Sequence, residues 1–142
     1  MDKESIHKLI SEFIEKNKLA TLSTVTADGK PEAAAIEFGG KNNFELIFDT
    51  IDTYRKYKNL QSNKNVAFVI GWDDDVTVQY EGIAQELSGD ELEEYKKKYF
   101  EKNPKAKKWE NVKGIRYFKV IPKWIRYSDL KKNPWEIHEL RF

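Results

Sequence analysis

With 142 residues the chain has room for one domain with an ordinary core and not for two. Charged side chains make up 35% of it and balance to +1, which excludes the global basic field that nucleic acid needs and leaves only a local basic face open. The absence of cysteine excludes disulfides, zinc–thiolate sites and thiol nucleophiles, and fits a reducing compartment.

The start, "MDKESIHKLI", is charged instead of basic then apolar, and no apolar run approaches the ~18 residues of a membrane span. A soluble, cytoplasmic protein with no membrane or nucleic-acid partner is expected. In the opening segment Ile6, Leu9, Ile10, Phe13 and Ile14 recur at helical spacing, which predicts an amphipathic helix capped by Asp2 or Ser5, with His7 at the surface. "LATLSTVTADGKPEAAAIEF" reads as two strands joined at Asp28 and Gly29, the pair that supplies the positive φ angles of a tight hairpin. "GGKNN" is a further turn, leading into the strand "FELIFD".

A short helix carrying Arg55 and Lys56 follows, with Asp52 or Thr53 as cap and Asn63 as its stop. The strand "NVAFVIGW", the turn Asp73–Asp75 and a long strand "VTVQYEGIAQEL" come next, with Gly82 marking a bulge or a close backbone approach. Ser88 and Glu91 read as a capping box opening a helix that Pro104 ends. In the last strand, "GIRYFKVIPKWIRYSDL", Pro122 demands an edge, a bulge or a break, and the tail "KKNPWEIHELRF" has some strand character. Roughly six strands in meander order, interrupted by helices, predict an α+β, mainly β fold: a small antiparallel barrel with flanking helices, in a single domain.

Two stretches ask for a functional explanation. Arg55 and Lys56 stand at a helix start, where the dipole favours anions and not cations. With Thr50 and Thr53 they offer a phosphate two cations, hydroxyls and backbone N–H donors; a solvated charged face is the other reading. The three alanines of "PEAAAIEF" lack the branched bulk that strands favour, so either a flat ligand lies on this backbone or a helix or second subunit packs there.

The order of these segments resembles the FMN-binding split barrels of the pyridoxamine 5′-phosphate oxidase-like family over nearly the whole chain. The resemblance is carried by Phe48 and Thr50 at a strand end, Arg55-Lys56, the helix after them, and the run Asn63 to Ala67. It implies a six-stranded antiparallel split β-barrel, a homodimer with FMN at the subunit interface, and oxidoreductase chemistry on an unidentified small molecule. By resemblance, Arg55 and Lys56 grip the FMN phosphate with help from Thr50, and Asp49 is among the cofactor-binding residues. Ala34, Ala35, Ile36 and Glu37 run under the isoalloxazine ring, and Thr77 falls where the family often has a Gln facing the flavin. The resemblance leaves no residue assigned a catalytic role and implies no metal site.

The chain departs from true pyridoxamine phosphate oxidases. Ala34 and Gly39 stand where those enzymes have an Arg and a Lys for the flavin and the substrate phosphate, and His138 and Arg141 come in the reverse order of their C-terminal pair. A non-catalytic flavin-binding or stress-associated module is therefore an alternative, as is a deazaflavin or haem binder on the same fold, with His138 as the histidine to watch. Of Trp72, Trp109, Trp124 and Trp135, most are expected in the core or at a dimer interface, with Trp109 the candidate for reaching a neighbouring subunit's site.

Overall fold

The computed structural model describes residues 1–142. Helix α1 (Lys3–Lys16) opens the chain, and Asp2 caps it by accepting the Ser5 N–H at 2.8 Å. Its buried stripe, Ile10, Phe13 and Ile14, packs into the main core. His7 is half-buried, with its ring edge-on to Phe44 at 5.4 Å, and is not the free surface residue expected.

Strands β1 (Leu19–Val25) and β2 (Pro31–Glu37) pair antiparallel. The loop between them is longer than a two-residue turn: Thr26 N–H bonds the Lys30 carbonyl, and only Gly29, at φ +88°, takes a positive φ. After Phe38 come β3 (Gly39–Lys41), a single 3-10 turn, and β4 (Glu45–Ile51). Helix α2 (Arg55–Ser62) leads to β5 (Asn65–Ile70) and the long β6 (Val76–Glu86). Helix α3 (Gly89–Lys102) and a 3-10 segment, Pro104–Trp109, precede β7 (Ile115–Asp129) and β8 (Glu136–Arg141). The Ser88 side chain makes no cap bond, so the expected capping box is not formed, and Glu91 instead reaches Lys119.

Eight strands thus replace the six expected, because β3 and the tail strand β8 also join the sheet. All pairings are antiparallel, but the order β2-β1-β5-β6-β7-β4-β3 is not a meander, since β1 pairs with β5 and β4 with β7. The two ends of that order, β2 and β3, are separated in the chain only by the buried Phe38. One bent run of backbone therefore supplies both edges, and the sheet curls into a half-barrel. The fifteen-residue β7 is shared on one side, its first half pairing with β4 and its second half with β8.

Pro122 sits at the one register shift between β6 and β7, opposite Gly82. The bulge removes the ladder bond that proline cannot make. Gly82 has no alternative there, because a Cβ would lie 2.5 Å from the Ile121 carbonyl oxygen. Inside the half-barrel, Phe48 on β4 and Phe118 on β7 are register partners with rings stacked at 5.3 Å. A smaller cluster, including Ile47, Tyr95, Tyr99 and Tyr117, seats α3 against the outside of β4 and β7. None of the four tryptophans is buried: Trp72, Trp109 and Trp135 are exposed and Trp124 is half-buried, so the core expectation does not hold for any of them.

Candidate functional site

Between β4 and α2 the chain makes a tight turn, with Asp52 N–H on the Gly114 carbonyl and Tyr54 N–H on the Ile51 carbonyl. The residue before α2 is Tyr54, and no side chain caps the helix, so neither Asp52 nor Thr53 takes the role expected of it. Asp52 is engaged elsewhere, 3.3 Å from Arg116. The first N–H groups of a helix have no intrahelical acceptor, and here no acidic residue occupies the first turn. That end of α2 is electropositive in its backbone as well as in Arg55 and Lys56.

What holds α2 in place is Asn59, one helical turn on from Arg55 and Lys56. Its buried amide donates to Thr24 Oγ1 at 2.9 Å and to Glu32 Oε1 at 2.8 Å, pinning the helix to β1 and β2. The other oxygen of Glu32 lies 3.0 Å from Arg55 Nη1. Glu32 and Asn59 were not singled out in the sequence, although their i,i+4 relation to Arg55 was there for Asn59.

Two adjoining clefts meet at Tyr54 and Lys56. The first, of about 370 Å³, is lined by Thr24, Glu32, Ala33, Ala34, Thr53 and Arg55 among others. The second, of about 400 Å³, gathers Ala35, Ile36, Glu37, Asp49 and Thr50 beneath Tyr99, Ala106, Trp109 and Val112. Of the nine residues named from the sequence, eight therefore line this double cleft: Ala34, Ala35, Ile36, Glu37, Asp49, Thr50, Arg55 and Lys56. Thr77 does not. It lies on β6, three strands from β2 in the sheet order, on the outward side between the buried Val76 and Val78. Trp109 walls the cleft of its own chain while remaining 49% exposed. Tyr99 and Val112 were missed, since α3 and the segment after it reach the cleft only through tertiary packing, and Tyr54 was missed although it adjoins Arg55 in the chain.

The polar groups of the cleft are incompletely satisfied. Thr50 is 3% exposed and its hydroxyl has no hydrogen-bond partner. Burial pushes the Lys56 amine below its ordinary pKa, opposed by the nearby Asp49 carboxylate. Asp49 is itself pushed up by burial; a Tyr99 hydroxyl hydrogen bond and Lys56 pull it down, and Glu37 pushes it further up. A buried hydroxyl without a partner, in a residue that lines the same cleft as a partly desolvated cation, suits an acceptor-rich anion. Strand β2 adds a second feature: it pairs only with β1, so its other edge presents free backbone donors and acceptors along Ala34–Glu37.

Position 39 also has a physical reason to be glycine. A Cβ there would lie 3.1 Å from the Tyr99 Cα, because α3 crosses directly over β3.

The architecture is a curled antiparallel half-barrel with flanking helices and a double cleft between a bare-edged strand and a helix start. The sequence profile described as pyridoxamine 5′-phosphate oxidase matches residues 6–129, and the chain belongs to that family. It is 35% identical over 96 residues to a pyridoxine/pyridoxamine 5′-phosphate oxidase of Leptospira interrogans, a match covering 67% of this chain and 42% of that protein. The chain thus spans less than half the length of that relative. Among solved structures it is similar to General Stress Protein 26 from Bacillus anthracis, with 25% identity, TM-score 0.75, and coverage of 96% of this chain and 98% of that one. It is also similar to a heme binding protein from Mycobacterium smegmatis, with 17% identity, TM-score 0.79, and coverage of 91% and 55%. No helix is long and apolar enough to cross a membrane.

Proposed function

We propose that the double cleft binds FMN and that the protein is an oxidoreductase of the pyridoxamine 5′-phosphate oxidase-like family acting on a small molecule. The observation that carries this reading is the unpartnered Thr50 hydroxyl in the same cleft as the half-buried Lys56, at the uncapped start of α2. Arg55, Lys56, the Thr50 hydroxyl and the free N–H groups of α2 hold the phosphate. The bare edge of β2, from Ala34 to Glu37, meets the polar edge of the ring, and its alanines let a flat group approach the backbone. When bound, the flavin supplies the electron-transfer chemistry; the chain supplies binding, orientation and shielding from water.

The reading brings a homodimer with it. On the outward face of the sheet, Ala33, Ser23 and Ala67 stand in one cross-strand row and Ala35, Thr21 and Val69 in the next. These side chains are small and uncharged, suited to close approach of a second copy, and Thr77 on that outward side is available to the partner's cleft and not to its own.

Haem on the same fold is the second reading, favoured by the likeness to the heme binding protein. Its weakness lies in the histidines. His138 Nε2 is 2.8 Å from Glu136 and its ring stacks on Tyr127, while His7 packs on Phe44, and neither lines the cleft. Separate reconstitution with FMN and with haem, followed by gel filtration with multi-angle light scattering, tests the reading. It expects flavin absorbance to co-elute with a dimer. A retained haem spectrum with no retained flavin, or a stable monomer, contradicts it.

A further inference from the structure

The cleft assigned above to the flavin is acidic away from its cationic end. In its second cleft, Glu37 at the end of β2 and Asp49 on β4 stand with a single cation, Lys56, so carboxylates outnumber cations there. Glu32, on the other side of Lys56, accepts from the buried Asn59 amide and faces Arg55, and so belongs to the phosphate end of the site. A phosphate taken up by Lys56 leaves both Glu37 and Asp49 without a counter-charge. Asp49 is half-buried, and its carboxyl is pushed above its ordinary pKa first by burial and then by Glu37, against a Tyr99 hydrogen bond and Lys56. A desolvated carboxylate gains most from a cation brought to it.

The other walls suit the same partner. Tyr54, Tyr99 and Trp109 line the same cleft, and aromatic faces attract cations, Trp most strongly. Position 34, which lines the adjoining cleft, is alanine and brings no positive side chain. From the juxtaposition of Glu37, Asp49 and Trp109 in one cleft, we infer that the substrate has a cationic head, a protonated or quaternary amine, on a flat or apolar body. A phosphate-bearing substrate meets two carboxylates there and is repelled. This rests on the flavin reading, because it needs Lys56 to be occupied by the cofactor's phosphate.

The test uses the FMN-loaded protein and three probes of similar size: benzylammonium, benzyl alcohol and benzoate. Quenching of flavin fluorescence first reports whether FMN is bound, and calorimetric titration then gives each probe's affinity at neutral pH. Benzylammonium is expected to bind at least about tenfold more tightly than benzyl alcohol, with benzoate weakest, as one charge-assisted contact provides. Glu37→Gln and Asp49→Asn should each reduce that preference, and together bring it below about twofold. Glu37 is exposed at a strand end, so Glu37→Gln tests the proposal even if Asp49→Asn fails to fold. Equal affinities, a preference for benzoate, no binding of benzylammonium, or a preference that survives both substitutions overturns the proposal while FMN binding stands. Failure to bind FMN at all overturns the flavin reading and this proposal with it.

Discussion

Arg55 Nη1 lies 3.0 Å from Glu32 Oε2, and the partner oxygen of that carboxylate accepts a 2.8 Å bond from the buried Asn59 amide. One acid on β2 therefore fixes the helix and holds its first cation. A phosphate arriving at Arg55 must compete with Glu32. Glu32→Gln keeps an oxygen for Asn59 and releases the guanidinium. Exposed pairs of this kind are worth up to about 1 kcal/mol, so FMN affinity should rise by up to roughly fivefold. Fluorescence titration reads the change, and the melting temperature should barely move. A fall in affinity would mean that Glu32 aims Arg55 and does not restrain it.

Thr50 gives a prediction of two opposite signs. Its hydroxyl is buried without a partner, and such a group costs about 1–3 kcal/mol in the ligand-free protein. Thr50→Val keeps the shape and removes the polar atom. Chemical denaturation without ligand should show a gain of about 1 kcal/mol, while FMN affinity falls by roughly tenfold as the hydroxyl bond to the phosphate is lost. A stabilised variant with unchanged FMN affinity would remove Thr50 from the phosphate site.

Lys102 sets a pH dependence outside the cleft. Its amine donates to the Ile14 carbonyl at 3.2 Å and lies 3.6 Å from the centre of the Phe38 ring, and burial pushes its pKa down to about 8. In the unfolded chain a lysine titrates near about 10.4. Between those values the folded state binds fewer protons than the unfolded state, so stability should rise as pH increases from about 8 towards 10. Lys56, also lowered, acts in the same direction. Denaturation at about pH 7.5 and about pH 9.5 should show the gain in the parent and a smaller one in Lys102→Met. An equal gain in both would assign the effect to other groups.

Local signals were legible in the sequence where one residue's own geometry decides the structure. Gly82 announced the bulge that Pro122 requires, Asp2 the cap of α1, and the Arg55-Lys56 pair a helix start that lacks acids. The cleft's strand residues followed from the family's segment order. Less legible was whatever depends on distant partners. Tyr54 displaces Asp52 at the start of α2 because Asp52 is drawn to Arg116, 64 residues away. The pairing of β1 with β5 and β4 with β7, and the arrival of Tyr99 and Trp109 over Asp49, come from packing between segments that no local pattern links. The tail's weak alternation became the strand β8 because the second half of β7 offers it a free edge.

The most direct test of the phosphate clamp compares FMN with riboflavin, which has the same ring and no phosphate, in the parent and in the double variant Arg55→Ala, Lys56→Ala. Charge-assisted bonds are worth about 1.5–3 kcal/mol each, so FMN affinity should fall by roughly two to four orders of magnitude. Riboflavin affinity should be nearly unchanged, and the fold, read by circular dichroism, should persist. FMN affinity equal to the parent's in a folded double variant, or an equal loss for both ligands, contradicts the assignment of Arg55 and Lys56 to the phosphate.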